Sequence, residues 1–485
     1  MRISRLLLCL LLLAHAPLAS AARTRSGARA STNAAPYVSN AAAAYAPDAA
    51  DVYAVVEEVE RIAARSTLWP GFDPRRVPLA VFDGRTTFLF GHPNPPPEFI
   101  SLSSRQGVWA FAGRHESVTA NAPVKLNGVW TATAMLKFDG RRDVRSQAAL
   151  VIHEAFHVFQ RERHSDWTAN EAELFTYPLE DADALRLRRL ETLALSRAES
   201  SRVKNVAACW AGAALKFRDE RFALIHAGPA AYERGTELNE GLASYVEALA
   251  AGRTARARLP AEDFPATEVR QRAYATGRTL ALLLDRFDAS WKQKLEGGDK
   301  RPLDELLSAS LPSNITASLS SHAAASRRPA RCEVTPADLR AAAEGARRDV
   351  AGLSLKREVM RRDFLARPGW KLEIVAAENS PLFPQGFDPL NVERVGPGEV
   401  LHTRYLKLGG AAGTIELVGR ASLTEGAGAH PLFNGVRRLT VTGLAAEPAV
   451  TQSAGTTTIT ADNLKADLKG AEITRSGQTL LVRLK

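Results

Sequence analysis

The sequence predicts an α+β protein whose chain passes through a β-rich lobe, then a helical lobe, and ends in an all-β domain. Short apolar runs separated by Pro and Gly turns occupy the first part, up to about residue 138. Helical patterns dominate from Asp143 to about Leu307, and Val, Thr and Leu alternation with Gly turns follows Trp370. Because a period of two is typical of strands and a period near 3.6 is typical of helices, these patterns predict three successive regions.

The first 50 residues have the features of a targeting segment followed by a leader. Two arginines precede an apolar run, Leu6–Ala14, and a small-residue triplet, Ala19–Ala21, comes next. This pattern is typical of a secretory signal peptide, so we expect residues 1–21 to be cleaved and the protein to be secreted or periplasmic. Residues 22–50 are rich in Ala, Ser, Asn and Pro with few large apolar side chains, which predicts a flexible leader.

Residues 51–310 are expected to form the first folded domain. The pattern from Asp51 to about Ser66 predicts a helix, and the segment that follows, up to Phe90, predicts short strands. Val129–Phe138 predicts a further strand, which ends just before the helical lobe. No apolar run after the signal peptide approaches the roughly 20 residues that a membrane helix needs, so we predict no membrane span.

Three further segments complete the chain. Residues 311–334 are rich in Ser, Ala and Arg and are predicted to be a linker. A helical connector is expected over residues 335–370, because Thr335 and Pro336 are residue types that begin helices. Residues 371–485 are predicted to form the β-rich C-terminal domain, and their number is ordinary for a domain.

Charge and cysteine content narrow the classes of partner and compartment. The formal net charge is +10, and residues 51–485 carry 58 basic and 52 acidic side chains that are interspersed. Because no basic helix carries aromatic side chains, we expect no nucleic-acid partner. Outside the signal peptide the cysteines are Cys209 and Cys332. In an oxidising compartment they could pair, which a chain-entropy estimate puts at about 4–5 kcal/mol, or they could be two separately buried thiols.

The stretch VIHEAFHVFQ, residues 151–160, places two histidines and a glutamate in an apolar helix. His153, Glu154 and His157 lie within about 100° of one another on a helix and therefore share one face. Apolar residues surround them on nearly every side, which is the pattern of a buried helix. Burying these groups without partners would cost several kcal/mol. The pattern therefore favours a divalent ion held by the two histidines, with Glu154 beside an attacking water.

Two histidines do not complete a metal site, and the residues by themselves leave the third ligand open. The candidates are the histidines and glutamates that follow the helix: His164, Glu171, Glu173, His226, Glu237, Glu240 and Glu247. The last three of these form one polar stripe at helical spacing together with Ser244, and such a stripe is usually a solvated face.

Two downstream segments resemble motifs of a known group of enzymes. LNEGLASY, residues 238–245, resembles the LNEGFA-type motif of the aminopeptidase N and glycyl aminopeptidase families, which are zinc peptidases of the gluzincin group. YATG, residues 274–277, and the segment after it are similar to the corresponding region of both families. Together with HEAFH, the three motifs occur in the order found in those families. The resemblance covers roughly residues 129–310.

The resemblance implies a thermolysin-like zincin catalytic domain with one Zn²⁺ per chain, held by His153, His157 and Glu240. Glu154 would act as the general base, and Tyr274 would donate a hydrogen bond to the reacting carbonyl. The implied activity is hydrolysis of peptide bonds in a peptide or protein substrate by a zinc-activated water.

Two departures from those families limit what the resemblance implies. Between His157 and Glu240 lie 82 residues, a longer separation than in aminopeptidase N, so Glu171 and Glu173 stay open as third ligands. The Gly-x-Met-Glu-Asn motif that anchors a substrate's free amino group is missing. The substrate-binding residues, and the choice between endopeptidase and exopeptidase, therefore stay unassigned.

Other interpretations of the same residues are compatible with the sequence. In gluzincins an edge strand before the zinc helix pairs with extended substrate, and Val129–Phe138 has that position, although it equally fits an ordinary half-buried strand. The protein could also be a catalytically silent zinc-site protein that binds peptides or cell-surface polymers through its β-domain, or a zinc hydrolase of non-peptide amides or esters. The intact Glu154 favours catalysis, because a structural zinc site usually has four protein ligands and needs no base. The oligomeric state is not predicted.

Overall fold

The computed structural model describes residues 49–103, 105–137, 143–252, 259–312, 332–388, 391–426, 428 and 431–485. The predicted signal peptide, nearly all of the predicted leader and most of the predicted linker lie outside these residues. The described chain has an N-terminal β region, a helical middle and C-terminal all-β sheets, so the predicted α+β class is confirmed. Within these ranges no helix is long and apolar enough to cross a membrane.

The N-terminal region consists of one helix and a mixed sheet. Helix α1 (Ala49–Arg65) buries Val52, Val55 and Val59, whose spacing of three and four residues keeps them on one face. The strands are β1 (Leu79–Phe82), β2 (Thr86–Phe90), β3 (Ile100–Ser101), β4 (Val108–Ala112), β5 (Ala122–Leu126) and β6 (Val129–Met135). Their order in the sheet is β3-β4-β2-β1-β6-β5. The pair β1 and β6 is parallel and the other pairs are antiparallel.

The strand that precedes the histidine helix is not at the edge of this sheet, so the expectation that Val129–Phe138 is an edge strand is wrong. Strand β6 is hydrogen-bonded on both sides, to β1 and to β5, and Phe138 lies outside the described residues. The edge is β5, because Asn127 and Gly128, with φ of 43° and 85°, turn the chain sharply between β5 and β6.

The helical middle surrounds the helix that carries HEAFH. Its elements are α2 (Val144–Arg163), a 3₁₀ helix (Glu171–Thr176), α3 (Ala182–Ser200), α4 (Lys204–Leu224), α5 (Ala227–Thr236), a π-helical turn (Glu237–Gly241), α6 (Leu242–Ala251), α7 (Val269–Phe287), α8 (Trp291–Glu296) and α9 (Leu303–Ser310). One hydrophobic core joins α2, α3, α4, α6, α7, α8 and α9 to α1 and to a face of the N-terminal sheet. Ile152, Ala155 and Phe156 of α2 are fully buried in it. Helix α2 is thus central in the first domain.

A long helix, α10 (Pro336–Leu365), connects the helical middle to the C-terminal strands. It begins where the sequence predicts, with Thr335 and Asp338 forming a capping box. Near its start, Asp338 pairs with Arg197 of α3 at 2.9 Å, and near its end Phe364 is buried against the C-terminal strands. The helix therefore contacts both parts of the protein along its length.

A disulfide joins Cys209 to Cys332, with their Cα atoms 5.9 Å apart. Of the two possibilities that the sequence leaves open, pairing is the one that the structure shows. The bond links α4 to the chain just before α10.

The C-terminal region is a sandwich of two mainly antiparallel sheets. Its strands are β7 (Trp370–Val375), β8 (Phe383–Phe387), β9 (Val392–Gly396), β10 (Glu399–His402), β11 (Tyr405–Gly410), β12 (Gly413–Val418), β13 (Ser422–Gly426), β14 (Val436–Leu444), β15 (Ala449–Ser453), β16 (Thr456–Ala461), β17 (Leu464–Lys469), β18 (Ala471–Ser476) and β19 (Thr479–Leu484), with a short helix α11 (Pro431–Asn434). The sheet orders are β18-β19-β7-β14-β13-β10-β9 and β15-β16-β17-β12-β11-β8. Alternate residues of both sheets fill one shared core, separate from that of the first domain.

Candidate metal centre

Helix α2 places three polar side chains in the interior of the first domain. Asp143 caps the helix by accepting a hydrogen bond from the Ser146 amide at 2.6 Å. The apolar residues that follow bury the helix on all sides, as their pattern predicts. His153 and His157 are each 7 % exposed, and Glu154 is 5 % exposed.

Glu240 lies in the single π-helical turn between α5 and α6. Such turns are rare and occur frequently at functional sites. The turn touches α7 directly, because a Cβ added to Gly241 would lie 2.7 Å from the Cα of Gly277. The glycines of the LNEG and YATG segments therefore allow two backbones to cross in contact. This crossing brings Glu240 and Tyr274 to the same place.

The structure brings the three predicted ligands together. The His157 Nε2 atom lies 3.1 Å from the Nε2 of His153 and 3.1 Å from the Oε2 of Glu240. The His153 Nε2 is 3.7 Å from the same oxygen. Among the described residues these three side chains form the cluster with the composition and spacing to hold a metal ion. Burial opposes ionisation of Glu240, but the two histidines in their protonated form outweigh it and hold its pKa well below the usual range.

Hydrogen bonds on the outer nitrogen of each histidine determine which nitrogen faces the centre. The amide nitrogen of Gln160 donates to the carbonyls of Leu238 and Asn239, at 3.1 and 2.8 Å. The amide oxygen of Gln160 must therefore face His157, and it accepts from Nδ1 at 2.7 Å. In the neutral form of each ring, Nε2 then presents its lone pair to the centre, since a carboxylate holds the other ring in the same way.

The carboxylate on the other histidine is Glu247, whose Oε2 accepts from the Nδ1 of His153 at 3.0 Å. Three acceptor atoms, two imidazole nitrogens and an ionised carboxylate oxygen, thus converge within 3.7 Å. When both rings are neutral these atoms repel one another, and a metal ion among them removes the repulsion. Without a metal, hydrogen bonds to Glu240 and Glu247 outweigh burial and raise the pKa of His153 well above its usual range, so a proton can take the place of the cation. Outer partners of this kind are usual for metal-binding histidines, where they orient the ring and fix its tautomer.

Glu154 is buried beside this cluster with its carboxylate free. Helical spacing places it on the same face as the two histidines. No described group donates a hydrogen bond to it, and burial raises its pKa despite the opposing effect of His153 and His157. A buried carboxylate is costly without a partner, so this one is available to accept a proton from a bound water.

Tyr274 lies next to the third ligand and is held by an arginine. The Nε of Arg270 donates to the Tyr274 hydroxyl at 3.1 Å, and its Nη2 donates to the Oε1 of Glu240 at 2.8 Å. Burial and the Glu240 carboxylate raise the pKa of Tyr274, so its hydroxyl carries a proton at neutral pH. Sequence reasoning missed Arg270, although its spacing of four residues from Tyr274 places both on one helix face.

The other candidate ligands lie outside the cluster. Glu171 pairs with Arg270 and accepts from the Tyr232 hydroxyl at 3.3 Å. Glu173 accepts from Asn170 at 3.3 Å within its own 3₁₀ helix. His164 pairs with Glu296 at 2.9 Å, and His226 is exposed before α5.

The polar stripe of α5, the π turn and α6 is not a solvated face, so that interpretation is wrong. Glu237 is fully buried and forms a two-pronged pair with Arg218, at 2.8 and 2.6 Å. Glu240 is 9 % exposed in the cluster. Of the three glutamates, only the Glu247 side chain has substantial exposure, 37 %, and it binds His153.

Two of the helices within the 82 residues between His157 and Glu240 contribute to a buried ionic network. Helices α3 and α4 occupy that interval, and they supply charged side chains to the interior beside the π turn. The network consists of four arginines and four acids that are nearly or fully buried: Arg188, Arg218, Arg221, Arg272, Glu191, Glu233, Glu237 and Asp263. The network contains equal numbers of positive and negative charges, and its ion pairs link α3, α4, α5 and α7. The sequence gives only a weak indication of this network: an arginine lies three residues from another charged residue in helices that are otherwise apolar.

Replacement of Glu240 by alanine is expected to abolish metal binding, because only two neutral imidazoles remain at the centre. The loss should exceed the 10–100-fold that removal of an outer-shell partner typically costs. Glu171→Ala is the matched control and should bind metal like the parent. Competition between the protein and a chromogenic chelator for added Zn²⁺ measures both affinities. Metal loss in Glu171→Ala with retention in Glu240→Ala would contradict the ligand assignment.

Comparisons of the chain with family models, with curated proteins and with solved structures find no match.

Proposed function

We propose that this protein is an exported zinc-dependent metallopeptidase with a thermolysin-like catalytic domain. The observation that carries the proposal is the convergence of His153, His157 and Glu240 beside Glu154, a buried carboxylate with no described donor. The LNEGLASY and YATG segments support it, because the resemblance assigns a ligand to one and an oxyanion donor to the other. The structure places these two segments in backbone contact, at Gly241 and Gly277.

The cluster fits zinc in both ligand type and spacing. Tetrahedral ligation with bonds of about 2.0–2.1 Å separates the ligand atoms by about 3.3–3.4 Å. The three separations here, 3.1, 3.1 and 3.7 Å, lie around that value. Two imidazoles with one carboxylate suit zinc better than calcium or magnesium, which prefer oxygen ligands. Three protein ligands are also the usual number at a catalytic zinc site.

The chemistry of the site follows from the protein's own groups. Bound zinc supplies a water whose pKa is lowered to about 7. Glu154 would accept the proton of that water and later transfer it to the leaving amine. Tyr274 would donate a hydrogen bond from its hydroxyl to the oxyanion that develops on the scissile carbonyl. One such hydrogen bond typically contributes a factor of about 10²–10³ to the rate.

The proposal is tested by metal content and hydrolysis together. We expect about one zinc per purified chain and cleavage of an unstructured protein substrate. Removal of the metal with a chelator should abolish cleavage, and stoichiometric zinc should restore it. The same preparation without chelator, carried through identical dialysis, is the control.

Two outcomes would contradict peptidase activity. Zinc binding without cleavage of any member of a broad peptide library would favour the silent binding protein. Zinc-dependent cleavage of small amides or esters, with peptides left intact, would favour a non-peptide hydrolase.

A further inference from the structure

One side chain of α7 contacts both the third ligand and the tyrosine. Arg270 donates through Nη2 to the Oε1 of Glu240 at 2.8 Å and through Nε to the Tyr274 hydroxyl at 3.1 Å. Its Nη1 pairs with Glu171. The Arg270 side chain is only 13 % exposed, so these contacts replace most of the hydration of its guanidinium.

The geometry points to Arg270 as a positioning residue that orients Glu240 and Tyr274 at the same time. The inference rests on the proposed function for its kinetic part, whereas its metal-binding part stands independently. Arg270 would touch neither the metal nor the substrate, and it would act through these two side chains.

For Glu240, the arginine separates the roles of the two carboxylate oxygens. Oε1 is engaged by Arg270, and Oε2 lies 3.1 Å from the His157 Nε2. A carboxylate with one oxygen engaged in this way presents the other alone, which keeps the centre at three protein ligand atoms. Without the arginine, the side chain could rotate or offer both oxygens, and its orientation would have to be ordered on metal binding.

For Tyr274, the arginine determines where the hydroxyl hydrogen can point. An N–H from Arg270 occupies a lone pair of the phenol oxygen. Because Arg270 has no acceptor, the hydroxyl hydrogen must be directed away from it. The hydroxyl is therefore held as a donor. In this structure it hydrogen-bonds the Glu240 carboxylate, and in the proposed reaction the same hydrogen would be offered to the oxyanion.

Lysine is a poor substitute in this role. The planar guanidinium places its N–H groups in a fixed fork, whereas an ammonium is a compact charge on a flexible stem. A lysine at position 270 could reach Glu240 or Tyr274, but it would hold neither at a fixed angle. This difference separates orientation from the mere presence of a positive charge.

The first test measures zinc affinity in the full chain without any substrate. Arg270→Gln is expected to bind Zn²⁺ about 10–100-fold more weakly than the parent in competition with a chromogenic chelator. Arg286→Gln, on the same helix but bonded to the Ala198 carbonyl, is the matched control and should bind as the parent does. Circular dichroism melting of each variant shows whether it is folded. Unchanged affinity in a folded Arg270→Gln would overturn the inference for Glu240.

The second test measures hydrolysis at saturating zinc, where the effect on metal affinity is removed. Arg270→Gln and Arg270→Lys should each lower kcat about tenfold or more with little change in KM. The double variant Arg270→Gln/Tyr274→Phe should be no slower than Tyr274→Phe by more than about twofold, because both changes remove one contribution. Multiplying effects, or a lysine variant as fast as the parent, would overturn the inference for Tyr274.

The two tests separate this inference from the proposed function. A parent that binds zinc but hydrolyses nothing, with weakened zinc binding in Arg270→Gln, contradicts the peptidase proposal and supports the role at Glu240. A parent that hydrolyses peptides, with Arg270→Gln unchanged in both measurements, supports the peptidase proposal and overturns the role of Arg270.

Discussion

Replacement of Glu154 by glutamine is expected to lower the rate of hydrolysis about 10²–10⁴-fold while the zinc content stays at that of the parent. The side chain is 5 % exposed, and no described group donates to it, so it is not a structural partner of its surroundings. Glutamine has nearly the same shape but cannot accept and return a proton. General acid–base catalysis typically contributes about 10²–10⁴ in rate, and the turnover number should fall by that factor.

The measurement is kcat on a peptide substrate together with zinc per chain. Glu162→Gln is a matched control, because it makes the same change on the exposed side of the same helix and should leave both quantities unchanged. If Glu154→Gln keeps kcat within about threefold of the parent, another group is the base. If it loses zinc as well, the residue supports the metal site rather than the proton transfer.

Replacement of Arg218 by methionine is expected to lower the free energy of unfolding by about 3–5 kcal/mol, because it leaves buried carboxylates without their cation. Arg218 is 1 % exposed and donates to both oxygens of Glu237 and to the Oε1 of Glu191 at 2.9 Å. Domains typically have only about 5–15 kcal/mol of stability, so this loss is a large share of the total.

Denaturant unfolding of the full chain under oxidising conditions measures the effect. Arg75→Met, which breaks the exposed pair with Asp73, is the matched control and should leave the free energy of unfolding nearly unchanged. Arg218→Met/Glu237→Leu should recover part of the loss, because the cost arises from the unpaired charge. A change below about 1 kcal/mol in Arg218→Met would show that the network does not hold α3 and α4 in place.

The local pattern of α2 was sufficient to predict its burial. Apolar residues on all sides of His153, Glu154 and His157 predict a buried helix, and the structure buries all three. This succeeds because helix periodicity and burial follow from neighbouring residues alone. The order of the β, helical and β regions is confirmed for the same reason, since each region has its own period.

Glu240 was predicted through resemblance, because its own surroundings pointed elsewhere. A stripe of glutamates at helical spacing looks like a solvated face, and the residues that bury it are distant in sequence. Arg218 comes from α4, and Arg270 comes from α7. The sequence of one helix does not reveal such pairing. A glutamate in a helical pattern can therefore face either solvent or a buried arginine, and the pattern does not tell which.

The edge of the N-terminal sheet shows the same limit. The residues of β6 predict a strand, and the structure has one. Whether that strand lies at an edge depends on the neighbour that the Asn127 and Gly128 turn folds against it. Strand order depends on pairing between segments that are distant in sequence. The alternation of residues within one strand does not predict that pairing.

The amino-acid sequence was therefore enough for the fold class, the buried histidine helix and two of the three candidate metal ligands, because these depend on periodicity and on residues four positions apart. Three features depend on the tertiary structure. They are the position of the third candidate ligand, the hydrogen bonds of Gln160 and Glu247 to the histidines, and the ionic network formed in part by the helices between His157 and Glu240. Each of them depends on groups from different helices, and their energies arise only when those helices pack together and exclude water.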